Sequence, residues 1–174
     1  LRVIALRAPV TLAAGSYAWV DLAVTPQGFT YDQRVAVQCL MRITAFIDAI
    51  ARPYTGQPVY LLGFSQGADF AVSAALHRSD LIAGAVLVAG SIPPEARLLA
   101  AGPERLARLA ILLAHGTVDQ LVPVSFARTG RAMLTSLGAG LTYREYLMGH
   151  EISPDCLADI HAWLAARLDE HSAP

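Results

Sequence analysis

The chain has 174 residues, 55% of them hydrophobic and 16% charged, with a formal net charge of -1. That length fits one domain with a sizeable core, and a near-neutral balance without a basic cluster argues against a nucleic-acid partner. All 13 basic residues are arginine, which excludes a phosphate-loop lysine, a Schiff-base cofactor and a serine–lysine dyad.

Leu1 to Leu6 reads as a buried strand, and it begins without an initiator methionine. The expectation is one α/β domain over residues 1–174 that is N-terminally incomplete. Arg7 to Tyr31 has no sustained period and is broken by Pro9, Gly15, Pro26 and Gly28, so it is expected to be mostly loop. A loop of that length is usually functional, as a lid or a binding wall. Asp32 can cap a helix running to about Arg52, with Val35, Cys39, Ile43, Phe46, Ile47 and Ile50 inward and Pro53 past its end.

Pro58 to Phe64 reads as a strand and Gln66 to His77 as a helix. Ala83 to Ala89 and Leu109 to Ala114 are continuous apolar runs, as strands buried on both faces of a parallel sheet require. Between them, Pro93 to Arg108 is expected to hold a short helix and a turn. Val124 to Leu137 reads as a helix stopped near Gly138 and Gly140, and Leu141 to Leu147 alternates as a strand. The last helix opens with Ser153 as cap and Pro154 at its first position, then buries Leu157, Ile160, Leu164 and Leu168. Strands alternating with helices predict a mostly parallel sheet with helices on both faces.

The apolar run Leu81 to Pro94 is interrupted by Gly84, Gly90 and Pro93 and falls short of the ~20 residues a membrane span needs. Cys39 and Cys156 each fall inside an expected helix, without metal-ligand spacing, and read as buried free thiols. No metal and no cofactor is expected. With no signal peptide visible, the expected location is cytoplasmic.

The chemistry starts at Gly63-Phe64-Ser65-Gln66-Gly67, between a strand and a helix. Given 13 glycines and 9 serines, Gly-x-Ser-x-Gly arises by chance on the order of 0.05 times in such a chain, so its context decides. A serine at that turn sits on a strained backbone with its hydroxyl pointing out of the sheet. The flanking glycines leave room for the helix to fold back on the strand. A serine hydroxyl needs a base, and a histidine oriented by a carboxylate suits that role. In open α/β sheets such groups gather at the carboxyl ends of strands. His150 follows one expected strand and Asp119 another, giving the chain order Ser65, Asp119, His150 found in α/β-hydrolases.

The other candidates read as structural. His77 ends a helix, His161 and His171 suit surface positions, and His115 is expected to orient the turn after its strand. Asp69, one turn past Ser65, suits helix-face solvation or a buried hydrogen bond. Asp80 and Asp155 fit turn and helix-start roles, and Glu151, next to His150, is expected to face solvent, with an orienting role as its other reading. The backbone N–H of Gln66 is the expected oxyanion donor at the helix N-terminus. No His-Gly-x-Gly segment, the usual source of a second donor, lies between Leu1 and Ser65. Lacking one donor can cost ~10²–10³ in turnover.

These residues resemble the phospholipase/carboxylesterase family of α/β-hydrolases, which includes bacterial carboxylesterases and acyl-protein thioesterases. Gly-Phe-Ser-Gln-Gly at 63–67, His-Gly-Thr-Val-Asp-Gln-Leu-Val-Pro at 115–123 and Gly-His-Glu-Ile-Ser at 149–153 look like its three blocks. The Gly15 to Trp19 stretch is similar more loosely. The resemblance implies an α/β-hydrolase fold without its N-terminal strand or strands. It implies Ser65 as nucleophile, Asp119 as orienter and His150 as general acid–base. Two departures stand out: Thr117 where many members carry an acidic residue, and the missing Gly-rich oxyanion loop.

The implied substrate is a small-molecule acyl ester or thioester with an apolar acyl group. Tyr17, Trp19, Phe64, Leu121 and Val122 are the candidate acyl-pocket residues, with ordinary core packing as their other reading. A homodimer is compatible with the chain. A hydrolase working through an acyl-enzyme leads. The alternative is a catalytically impaired α/β-hydrolase-fold protein that binds an acyl ligand or a protein partner.

Overall fold

In this computed structural model, four parallel strands run side by side in the order β5 (Val59–Phe64), β6 (Ile82–Val88), β7 (Ala110–Gly116), β8 (Gly140–Tyr146). Residues 2–13, 15–25, 28–54 and 56–170 are described. They fall into two compact units, one ending at Phe46 and one beginning at Ile47.

The first unit contains two antiparallel hairpins and most of a helix. Strand β1 (Val10–Ala13) pairs with β2 (Ser16–Ala18), and β3 (Ala23–Thr25) pairs with β4 (Gly28–Thr30). The expected loop over 7–31 is therefore partly hairpin. The Arg7 guanidinium lies 5.0 Å over the Tyr17 ring. Of the strand expected over Leu1 to Leu6, residues 2–6 form none and Val3 is 82% exposed, while Leu1 lies outside the described residues. Their β-favouring composition finds no pairing partner among the described residues, and a strand without a neighbour has nothing to stabilise it. Helix α1 (Gln33–Ala51) starts where Asp32 accepts the Arg34 N–H at 2.8 Å. Cys39, Ile43 and Ile47 are buried as expected, whereas Val35 is exposed.

The second unit holds the sheet. Helix α2 (Gln66–His77) joins β5 to β6, α3 (Pro103–Leu106) with a preceding 3₁₀ turn joins β6 to β7, and α4 (Val124–Ser136) joins β7 to β8. Residues 85–89 are fully buried, because a central parallel strand is covered on both faces. On one face Val86, Val88, Leu112 and Ala114 pack with Cys156, Ile160 and Trp163 of α5 (Pro154–Glu170). Strand alternation sends Ala85, Leu87, Ile111 and Leu113 to the other face, and α2 and α4 lie against these strands. Helices thus cover both faces.

On α5, Ile160 is buried and Leu164 packs against the core as expected, but Cys156 takes the inward place expected of Leu157. Cys156 is fully buried and Leu157 is 59% exposed. The Ser153 hydroxyl accepts the Cys156 N–H at 3.3 Å, which sets that phase from the cap. Both cysteines are free and buried. Among the described residues, no helix is long and apolar enough to cross a membrane.

Register brings the strand ends together. Phe64 pairs with Val88, Val88 with Ala114, and Gly116 with Tyr146. The segments that follow, beginning at Ser65, Ala89, Thr117 and Leu147, leave the sheet together at the carboxyl ends of the strands. Those ends are where open α/β sheets place their sites.

Candidate active site

Ser65 occupies the turn between β5 and α2 with φ 54° and ψ -125°. A non-glycine residue at positive φ costs of order 1–3 kcal/mol and persists only where its surroundings impose it. Two constraints do so here. The Ser65 N–H donates to Val88 O on β6 at 2.8 Å. A Cβ at Gly63 would fall 2.2 Å from Gly67 O, so only glycine lets the helix return this closely over the strand.

Asp119 and His150 come from the loops after β7 and β8, and backbone bonds lace those loops together. The Thr117 N–H donates to Tyr146 O at 2.8 Å and the Val118 N–H to Met148 O at 3.3 Å. Met148 is buried, and its sulfur accepts the Ser153 N–H at 3.4 Å. Gly116 permits the approach, since a Cβ there would lie 2.2 Å from Met148 O.

The three side chains meet. His150 Nδ1 lies 2.8 Å from Asp119 Oδ2, and His150 Nε2 lies 2.9 Å from Ser65 Oγ. An ionised carboxylate only accepts, so the ring proton belongs on Nδ1. Nε2 then presents a lone pair to the Ser65 hydroxyl. The other carboxylate oxygen, Oδ1, accepts the N–H groups of Leu121 at 2.9 Å and Val122 at 2.8 Å. Burial alone would raise the Asp119 carboxyl. The hydrogen bonds from His150, Val122 and Leu121 outweigh it and hold the group below its ordinary value.

His115 is fully buried beside this carboxylate. Its Nε2 lies 2.8 Å from Val122 O, which only accepts, so Nε2 carries the proton. The same nitrogen is 3.6 Å from Asp119 Oδ2. Its expected structural role is met on that side, while Nδ1 is buried without a hydrogen-bond partner.

The proposed pocket residues divide. The Phe64 ring is tilted against the His150 imidazole at 4.9 Å. Leu121 is 55% exposed and Val122 is buried, and both reach Asp119 through their backbone. Tyr17 and Trp19 belong to the first unit. His77 and His161 are exposed, and His171 lies outside the described residues. The Glu151 carboxylate is exposed and accepts the Gly149 N–H at 3.4 Å. The backbone donors to Asp119 went unread in the sequence, although Asp followed two and three residues later by N–H donors is a recurrent local turn.

The sequence pattern of the phospholipase/carboxylesterase family matches residues 3–168. The chain belongs to that family. The family is one of ester hydrolases, and its member here is an esterase/thioesterase-type hydrolase. Carboxylesterase SOBER1 of Arabidopsis thaliana is 26% identical over 171 residues, covering 95% of this chain and 75% of that protein. Acyl-protein thioesterase 1 of Eremothecium gossypii is 27% identical over 173 residues, covering 92% of this chain and 70% of that protein. A protein of Oryza sativa subsp. japonica named a probable inactive carboxylesterase is 24% identical over 151 residues, covering 83% of this chain and 62% of that protein. The crystal structure of Arabidopsis thaliana SOBER1 superposes with a TM-score of 0.71 at 23% identity, covering 94% of this chain and 81% of that chain. That likeness bears on the fold alone, and the fold is the α/β-hydrolase fold expected from the motif order.

Proposed function

We propose that the protein cleaves carboxylic esters, or thioesters, through an acyl-enzyme formed on Ser65. The observation that carries this reading is the unbroken hydrogen-bond chain from Ser65 Oγ through His150 to Asp119, with spacings of 2.9 Å and 2.8 Å. Ser65 Oγ attacks the acyl carbon as its proton passes to His150 Nε2. Asp119 keeps the imidazole in the receptive tautomer and stabilises the imidazolium. The Gln66 N–H, at the start of α2, donates to the developing oxyanion. His150 then protonates the leaving alcohol or thiol, and the steps repeat with water to release the acid.

An apolar acyl group suits the surroundings. Phe64 stands against His150, and Val118, Leu121, Leu147 and Ile152 are exposed on the loops that carry Asp119 and His150. The family match over residues 3–168 supports treating both units as parts of one hydrolase domain. Two buried free thiols fit a reducing compartment, in keeping with a cytoplasmic location.

A second reading, an impaired protein that binds an acyl ligand or a partner, draws on the relative named probable inactive. Hydrolysis of p-nitrophenyl esters of increasing acyl length separates the two. Turnover in the parent and its loss in Ser65→Ala are expected. No turnover with any ester favours the second reading, and a parent-like rate in Ser65→Ala removes Ser65 as nucleophile.

A further inference from the structure

Among the described residues, the non-glycine residues at positive φ are Ser65 (54°), Ala89 (53°) and Ile92 (49°). Ser65 opens α2, while Ala89 and Ile92 bracket the loop after β6, and the two segments are tied together. The Ser65 N–H donates to Val88 O at 2.8 Å, and the Ala89 N–H continues to Ala114 O at 3.0 Å. Alanine does not choose left-handed backbone, and a β-branched isoleucine resists it strongly. Something must impose it.

Asp69, one turn past Ser65 on α2, supplies the constraint. Its Oδ1 accepts the N–H groups of Ser91 at 2.8 Å and Ile92 at 3.0 Å, and its Oδ2 accepts the Ser91 hydroxyl at 2.7 Å. Gly90, between the strained residues, leaves no space: a Cβ there would lie 2.7 Å from Ala68 Cβ and 2.9 Å from Asp69 Oδ1. Beyond it the Ile92 side chain is buried and seated on Gly130 of α4, where a Cβ would lie 2.7 Å from Ile92 Cβ. Burial raises the Asp69 carboxyl despite these hydrogen bonds, so a carboxylate stands here against a desolvation cost.

We infer that Asp69 is a positioning residue whose carboxylate clamps residues 89–92 to the first turn of α2 and, through Val88 O, holds the Ser65 backbone in its strained conformation. The inference rests on the reading of Ser65 as nucleophile. Misplacing a reacting group by about 1 Å can cost about 10²-fold in rate, and Ser65 Oγ has a 2.9 Å contact with His150 to lose.

The test compares the parent with S65A, D69A, D69N and S91A. The readouts are kcat and KM on p-nitrophenyl butyrate, the rate of phosphonylation by a fluorophosphonate, and the thermal midpoint, with assays run well below every midpoint. In D69A the clamp is lost: kcat and the phosphonylation rate fall roughly 10- to 10²-fold while KM stays near the parent. D69N rescues most of the rate, because its amide oxygen still accepts both N–H groups and its NH₂ donates to Ser91 Oγ. S91A gives a smaller kcat loss in the same direction. Should D69A fail to fold, S91A and D69N carry the test, and a parent-like kcat in S91A then overturns the inference. A lowered midpoint in D69A with parent-like kcat and phosphonylation overturns it too, as does a D69N loss equal to that of D69A. Parent-like hydrolysis by S65A defeats the underlying reading. An inert S65A beside a fully active D69A defeats this inference alone.

Discussion

Asp119 faces His150 through one carboxylate oxygen and its own loop through the other. Oδ2 lies 2.8 Å from His150 Nδ1, while Oδ1 accepts the N–H groups of Leu121 and Val122. The loop therefore fixes the carboxylate, and the carboxylate fixes the ring.

Asp119→Asn puts this division to use. With Oδ1 still satisfying two N–H donors, the new NH₂ is forced toward His150 and favours the wrong tautomer. We expect kcat on a p-nitrophenyl ester to fall about 10³- to 10⁴-fold with the fold intact. A loss under tenfold in steady-state rates contradicts the assigned orientation.

Gly116→Ala tests the junction between the two loops. Its Cβ would lie 2.2 Å from Met148 O and 2.5 Å from Gly149 O, both backbone atoms, so the His150 loop must move away from the Asp119 loop. At a cost of about 2 kcal/mol, the expected outcome is a thermal midpoint roughly 4–8 °C lower. Assayed below that midpoint, kcat/KM falls about 10²-fold. A midpoint and rate within error of the parent refute the close approach.

The parallel sheet and the strand-end positions of Ser65, Asp119 and His150 were legible because each rests on local pattern. Apolar runs mark the buried strands, and Gly63 and Gly67 mark the turn. Other features depend on partners distant in sequence. The run Leu1 to Leu6 has strand composition, yet pairing decides whether a strand forms. On α5 the expected face held at Ile160 and Leu164, whereas Cys156 and Trp163 are buried and Leu157 is exposed, a phase set by the Ser153 cap. Asp69 was open between a solvated helix face and a buried hydrogen bond; the second holds, but nothing local announces that Ser91 and Ile92 are its partners.

On the sheet's outer strand, Glu145 accepts two bonds from Arg128, at 2.9 Å and 2.8 Å, and one from the Tyr143 hydroxyl at 2.7 Å. The Arg128 guanidinium, then Tyr143, hold its carboxyl down from 4.5 to about 2. A depressed folded-state value means this stabilisation is present above the ordinary value and is lost as pH falls through the folded one. The difference in thermal midpoint between parent and Glu145→Gln should hold steady above pH 4.5 and shrink toward zero near pH 2. Because the pair is largely exposed, salt should also shrink it. A difference that grows on acidification contradicts the pairing.

Cys39 and Cys156 are buried free thiols whose ionisation is disfavoured first by burial. A chromogenic disulfide reagent should find neither thiol in the native protein and both after denaturation without reductant. Rapid native reaction, or fewer than two thiols on denaturation, would refute that placement.

The most direct test of Ser65 as nucleophile is peptide mass spectrometry of the protein after treatment with diethyl p-nitrophenyl phosphate, which traps an activated serine as a stable phosphoryl adduct. The account predicts one adduct, on the peptide carrying Ser65, absent from Ser65→Ala and formed far more slowly in His150→Ala. An adduct on another residue, or equal labelling of Ser65 without His150, contradicts it.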